Sequence, residues 1–267
     1  MNRLVRRVAM CRPTHFAVEY KINEFMGGVV DQAKAQRQWD ALKSEVEKCG
    51  VTVLEIEPVK GLPDMVFCCN AGLHWRNKVY LSHFRFAERQ GEEAYFEKFF
   101  QSNNFETHGK DKKFHFEGGG DAFFSAEDKL FAGFGHRSQK EAYGEVSKLG
   151  HFKTVLCELD PSSHFYHMDV CLCLLDADSA LWYPPAFTKE ARARIQEELT
   201  NLIVISDEEA ERFVGNAIAF GDTVISPQGM GEATRKALEA LGWAVVEVDV
   251  SEFLKAGGAV QCLILKL

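Results

Sequence analysis

The chain has 267 residues, 46% hydrophobic and 26% charged, an ordinary globular composition with enough length for one large core. Its formal net charge of −8 argues against a nucleic-acid binder, which carries a basic footprint, although Arg3, Arg6, Arg7 and Arg12 cluster at the start. No apolar run is long enough to span a membrane and no signal-peptide core follows Met1, so a cytoplasmic protein in one domain over residues 1–267 is expected.

The eight cysteines are Cys11, Cys49, Cys68, Cys69, Cys157, Cys171, Cys173 and Cys262. Most lie in apolar, strand-like runs and none has CxxC spacing. That pattern points to reduced core thiols, not to a disulfide scaffold or a zinc site.

Taken in chain order, a helix-like stretch is followed by a short strand and then by two further strands, and the pattern recurs five times. The first helix is predicted over residues 30–49, with Trp39, Leu42 and Val46 on one face and Gly50 as its stop; a strand over 51–56 follows. Strands over 65–69 and 78–84 come next, then a helix over 87–101 and a strand over 113–116. The third unit has strands over 122–125 and 129–134, a helix over 139–149 and a strand over 154–159. The fourth has strands over 170–176 and 179–183, a helix after Pro184-Pro185 with Thr188 as its N-cap, and a strand over 202–205. A short helix over 207–213 precedes strands over 217–220 and 223–226, a helix over 231–241 and a strand over 244–250. The last apolar run, 261–267, follows Gly257 and Gly258 and lacks a partner. The only unused strand is 4–11, so the two ends are expected to pair and close a ring of five ββαβ modules. Closure removes sheet edges and turns each module's loops toward one axis.

Several chemically unusual residues fall at module boundaries. Cys262 stands at the mouth of the final run, as a nucleophile or a core thiol. His167 and Asp169 precede an apolar strand, as a general acid/base and its neighbour or as a capped strand start. Glu117 and Asp121 flank three glycines, a loop suited to holding a cation or simply flexible. Asp64 and Asn70 bracket an apolar run, where turn chemistry is the plain alternative. Arg137 suits bidentate binding of a carboxylate or an ordinary surface position. Together they supply a thiol, an imidazole, carboxylates and a guanidinium, a set suited to a substrate with a cationic head and an anionic tail.

The carrying motifs are Met10-Cys11-Arg12-Pro13 with Tyr20-Lys21-Ile22-Asn23, Pro63-Asp64-Met65-Val66-Phe67 with Asn70, Arg89-Gln90-Gly91-Glu92, Glu117-Gly118-Gly119-Gly120-Asp121, Gly135-His136-Arg137-Ser138, His167-Met168-Asp169, Asn216 and Gly257-Gly258-Ala259-Val260-Gln261-Cys262. In order and spacing the set resembles the guanidino-group-modifying superfamily of dimethylarginine dimethylaminohydrolases, arginine deiminases, arginine dihydrolases and amidinotransferases, over nearly the whole chain. The resemblance implies an α/β fold of the pentein type, a five-bladed propeller. It implies that Cys262 attacks a guanidinium carbon and that His167 protonates the leaving amine and then activates water. Glu117, Asp169, Asp64 and Asp121 would hold the guanidinium and orient His167, and Arg137 with Arg89 would hold the α-carboxylate. Where dimethylarginine dimethylaminohydrolases have His-Leu-Lys, this chain has His167-Met168-Asp169, as deiminases and amidinotransferases do. Asn70 and Asn23 are similar to arginine dihydrolase. One extra glycine separates Glu117 from Asp121, so Glu117 reaches a site only if that loop bulges.

The expected function is hydrolysis of the guanidinium C–N bond of arginine or a close relative through a covalent amidino-cysteine, giving citrulline or ornithine plus ammonia. The alternatives are a dimethylarginine dimethylaminohydrolase, an amidinotransferase to an amine, and a non-catalytic guanidino-binding protein. No cofactor or metal is expected. The expected partner is a small guanidino molecule; nucleic acid and membrane are not, and a homodimer is left open.

Overall fold

The computed structural model describes residues 5–267, so Leu4 of the expected first strand lies outside the described residues. β1 (Arg7–Cys11) runs parallel to β2 (Thr52–Ile56), with α1 (Gln32–Lys48) crossing between them. α1 begins where the Asp31 side chain accepts the Lys34 N–H, and buries Ala35, Trp39, Leu42 and Val46 at helical spacing.

The unit recurs. β3 (Gly72–Trp75) and β4 (Lys78–Leu81) form a hairpin, α2 (Ala87–Gln90) and α3 (Glu93–Ser102) cross over, and β5 (Glu106–His108) returns parallel to β4. α4 (Gly118–Asp121) leads into the hairpin β6 (Ala122–Ala126) and β7 (Lys129–Phe134), followed by α5 (Ala142–Val146) and β8 (Lys153–Glu158). β9 (Leu172–Leu174) and β10 (Ser179–Trp182) precede α6 (Lys189–Glu198) and β11 (Asn201–Val204). Thr188 caps α6 through the Ala191 N–H, as its position predicts. After α7 (Asp207–Glu211) come β12 (Ile218–Phe220), β13 (Thr223–Pro227), α8 (Glu232–Ala240) and β14 (Ala244–Val248). α9 (Ser251–Leu254) leads to β15 (Leu265–Lys266), which pairs antiparallel with β1. Among the described residues the result is five three-stranded sheets, each with one antiparallel and one parallel pairing.

Three expectations are corrected. The run 65–69 is not a strand: residues Pro63–Val66 and Cys68–Ala71 form two single 3-10 turns, and the strand begins at Gly72. Every residue from Pro63 to Ala71 is buried, so no alternation distinguishes turn from strand there. The parallel strand after α3 is Glu106–His108, not 113–116; of the latter, Phe116 only makes an isolated bridge to His83. Its polar sequence hid it. Finally, the run 261–267 is strand only at Leu265–Lys266, the residues before it being turns.

The first and last of these corrections share a feature. The first strand of each sheet is preceded by a buried helical or turn segment: Cys68–Ala71, Gly118–Asp121, Met168–Val170, Val214–Asn216, and the turns that end at Ile264. Each segment is hydrogen-bonded to the next. Asn70 Nδ2 donates to Glu117 O (3.2 Å), and Met168 N–H donates to Asp121 Oδ1 (3.1 Å). Asn216 Nδ2 donates to Asp169 O (3.0 Å), and Cys262 N–H donates to Asn216 Oδ1 (3.2 Å). Cys69 N–H donates to Cys262 O (3.2 Å), which completes the cycle.

Asn216 holds two of these joints while fully buried. Asn216→Ala leaves a buried N–H and a buried carbonyl without their partners, and is expected to lower unfolding stability by roughly 2–4 kcal/mol. Urea denaturation checks this; a loss under about 0.5 kcal/mol, the level of an ordinary surface change, contradicts it.

Candidate active site

Cys262 sits at the hub of these segments with 2% of its surface exposed. The backbone reaches it through Gly257, whose φ of +82° lies in the left-handed region and whose Cβ, if present, would press on the Asn23 side chain. Cys262 Sγ lies 3.3 Å from Asp169 Oδ2. Burial alone would raise the thiol's pKa. Hydrogen bonds from the Cys69 thiol and the Ala259 backbone, the charge of His167 and the contact with Asp169 outweigh it and bring the pKa down to about 6. Asp169 moves the other way: burial and the neighbouring Cys262 hold its carboxyl well above the usual range. One proton thus serves both groups.

His167 Nε2 lies 2.7 Å from Glu117 Oε2. Glu117 also accepts Arg85 N–H (3.0 Å) and Arg137 Nη1 (3.3 Å). Burial would raise Glu117, but the Arg137 charge and the His167 bond prevail and hold it well below the carboxylate range. The extra glycine is absorbed by α4, so Glu117 does reach the site. Gly120 is required for another reason: a Cβ there would collide with Asn70 Nδ2 and sit 3.0 Å from His167 Nδ1.

Near Cys262, the buried carboxylate oxygens Asp64 Oδ1 and Asp169 Oδ1 have no hydrogen-bond partner among the described residues. Burial raises the Asp64 carboxyl too, against the opposing charge of Arg89. Arg137 is held between the rings of Phe86 and Tyr166, at 4.7 and 4.4 Å, and donates to Ile22 O (2.7 Å).

Other expected ligand contacts are spent on the protein itself. Arg89 donates to both carboxylate oxygens of Glu92, to Asn70 Oδ1 and to the carbonyls of Asp64 and Phe67. In this structure its donors are engaged by Glu92, Asn70 and two backbone carbonyls. Asp121 is likewise engaged, its two oxygens accepting the Met168 and Ser138 N–H groups. Asn70 links Arg89 to Glu117 O, and Asn23 bonds Ala256 O across the nucleophile's turn. Cys262 pairs with Asp169, and His167 and Arg137 pair with Glu117, while Asp64 Oδ1 is left without a hydrogen-bond partner.

Comparison with known proteins fits this geometry. Residues 12–267 match the family model described as eukaryotic N,N dimethylarginine dimethylhydrolase. The chain belongs to that family. It is 50% identical over 264 residues to the uncharacterized protein ZK1307.1 of Caenorhabditis elegans, covering 99% of this chain and 94% of that one. It is 38% identical over 267 residues to the bifunctional arginine dihydrolase/ornithine cyclodeaminase ArgZ of Synechocystis, covering 98% of this chain but only 37% of ArgZ. A structure of the ArgZ N-terminal domain bound to product superposes with a TM-score of 0.94 over 97% of this chain and 96% of that one, at 36% identity. The dimethylarginine dimethylaminohydrolase of Mycobacterium tuberculosis is 36% identical over 266 residues, covering 98% of this chain and 86% of it.

Two residues of this dimethylarginine dimethylaminohydrolase-family site escaped sequence reasoning. Asn216 stood in a motif without a role, and nothing local distinguishes a hydrogen-bonding hub from a turn residue. Cys69 was read as a core thiol, although its place beside Asn70 was a usable signal. Among the described residues, Cys69, Asp169 and Cys262 are the one group spaced to hold a metal ion, their donor atoms lying within 4.8 Å of one another.

The low pKa has a direct consequence. Iodoacetamide should alkylate Cys262 at a rate that rises with pH through an apparent pKa near 6, because only the thiolate reacts. Mass mapping across a pH series checks this, and a midpoint above pH 8 contradicts it.

Proposed function

We propose that the protein is an arginine dihydrolase-type enzyme that cleaves the guanidinium C–N bonds of arginine through a covalent amidino-cysteine on Cys262. The carrying observation is a buried thiol held at a pKa of about 6 beside the unpartnered Asp169 Oδ1 and a His167–Glu117 pair. A guanidinium supplies N–H donors to such oxygens and positive charge to such carboxylates. Asp169 and Asp64 take its N–H groups, and Arg137 takes the substrate carboxylate.

In the first step Cys262 Sγ bonds to the guanidinium carbon, and one amino group leaves as ammonia after taking a proton from His167. Neutral His167 then takes a proton from water, whose oxygen attacks the amidino carbon and frees citrulline and Cys262. A second round on the same carbon releases ornithine, carbon dioxide and another ammonia, consuming two waters in all. Glu117 orients the imidazole and stabilises its cation. Similarity to the ArgZ N-terminal domain, described as an arginine dihydrolase, supports arginine as the substrate. The ring of bonded turns supports a further reading, that the five sheets stand as blades of one propeller and the whole chain is one catalytic domain.

A second reading, dimethylarginine as substrate, is supported by the family's description and the mycobacterial relative. The two are separated by products. Arginine should yield ammonia and ornithine near two to one, with turnover abolished in Cys262→Ser and lowered about 10²–10⁴-fold in His167→Ala. Dimethylamine from dimethylarginine, with arginine inert, selects the second reading. No product from either, or an unimpaired Cys262→Ser, overturns both.

A further inference from the structure

The mechanism leaves one reactive group at the site unused. Cys69 is as buried as Cys262, and its Sγ lies 3.7 Å from the same carboxylate oxygen, Asp169 Oδ2, that Cys262 touches. All three donor atoms fall within 4.8 Å. The two cysteines are also joined directly by the Cys69 N–H to Cys262 C=O bond of 3.2 Å. The two sulfurs, no more than 4.8 Å apart, must close to about 2 Å for a disulfide. The neighbouring Cys68 points elsewhere, toward the carbonyls of Ala9 and Leu263.

We propose that Cys69 is a resolving thiol: a peroxide oxidises Cys262, and Cys69 traps it as a reversible Cys69–Cys262 disulfide that switches the site off. This rests on the reactivity assigned to Cys262 above. The thiolate of Cys262 attacks one oxygen of the peroxide, becoming a sulfenic acid while the other oxygen leaves as hydroxide or alkoxide. Cys69 Sγ then attacks the Cys262 sulfur, forming the S–S bond. The departing hydroxyl leaves as water with the Cys69 proton, which Asp169 Oδ2 is placed to relay. Two electrons pass from the two sulfurs to the peroxide. A dithiol reverses the bond by exchange.

The division of labour is already present. Burial, the hydrogen bond to Cys262 and the nearby Asp169 hold Cys69 well above the ordinary thiol range, while Cys262 is the one brought down. One sulfur is thus ready to attack peroxide, and the other stays protonated until the first is oxidised. Without Cys69, the sulfenic acid has no second thiol in reach among the described residues at the hub, and oxidation runs on to sulfinic acid.

The test uses the reduced full chain with a chelator present, so that metal bound by the two thiols plays no part. Hydrogen peroxide is added at about five equivalents, enough for two successive oxidations of one thiol, and the product is read by non-reducing intact mass and peptide mapping. The expected product is the loss of two hydrogen masses with Cys69 and Cys262 in one cross-linked peptide. Arginine turnover, measured against each protein's own unoxidised rate, should fall with cross-linking and return at least tenfold with dithiothreitol. Cys69→Ser, which keeps a hydrogen-bond donor, and Cys69→Ala should both give no cross-link, gain oxygen at Cys262, and stay inactive after dithiothreitol. Cross-links confined to other cysteines, none at all, or equal recovery of the wild type and both variants overturns the proposal. The cross-link is read without any substrate, so failure of the arginine reading and failure of this one are separate results.

Discussion

Everything at the centre of this protein depends on a cycle of hydrogen bonds between short buried segments. Asn70, Asp121 and Asn216 each spend a side chain on the backbone of a neighbouring segment, and Cys69 and Cys262 close the cycle through their own peptide groups. Single turns leave backbone donors and acceptors unpaired, and here little water reaches them. Polar side chains from other units satisfy some of those groups. Residues nearly two hundred positions apart are thereby fixed within bonding distance, although β15 itself is only two residues long.

The same crowding sets the electrostatics. Asp64, Glu92, Glu117, Asp121 and Asp169 are buried together, facing Arg89, Arg137 and His167. Burial raises Asp64, Asp121 and Asp169, and takes Glu92 to about 7 even beside Arg89. Only Glu117 is held down, by Arg137 and His167. The cluster therefore balances its surplus of carboxylates with protons. A cation entering beside Asp169 would put a fixed positive charge where the raised carboxyl holds its proton, so binding of a cation and ionisation of Asp169 are coupled.

The modular order was legible because most crossover helices and parallel strands carry local signals: Thr188 as a cap, Gly50 as a stop, and aliphatic strands. The pairing of the two ends followed from counting strands. Sequence also singled out Cys262 with Asp169 and His167 with Glu117 and Arg137, which the structure places in contact. What sequence did not show was conformation where every residue is buried: 63–71 and 259–264 have the composition of strands and the shape of turns. Nor did it show which polar groups were already spoken for. Arg89 and Asp121 are the right residue types for ligand contacts, and only the structure shows them engaged by other groups of the protein.

That misreading of turns as strands carries a lesson about why the site is built as it is. A strand sends successive side chains to opposite faces, so a strand running up to the hub could present only alternate residues to it. A 3-10 turn advances about 120° per residue, so neighbouring residues diverge less than the opposite faces of a strand. Cys69 and Asn70 are consecutive and both reach the hub, as are His167 and Met168, one supplying its ring and the other its backbone N–H. The regular strands begin only after the turn, where packing rather than chemistry dictates the side chains. Five short sheets with a turn at the inner start of each can thus deliver more groups to one point than five strands could, and the turns' need for hydrogen bonds is met by the groups so delivered.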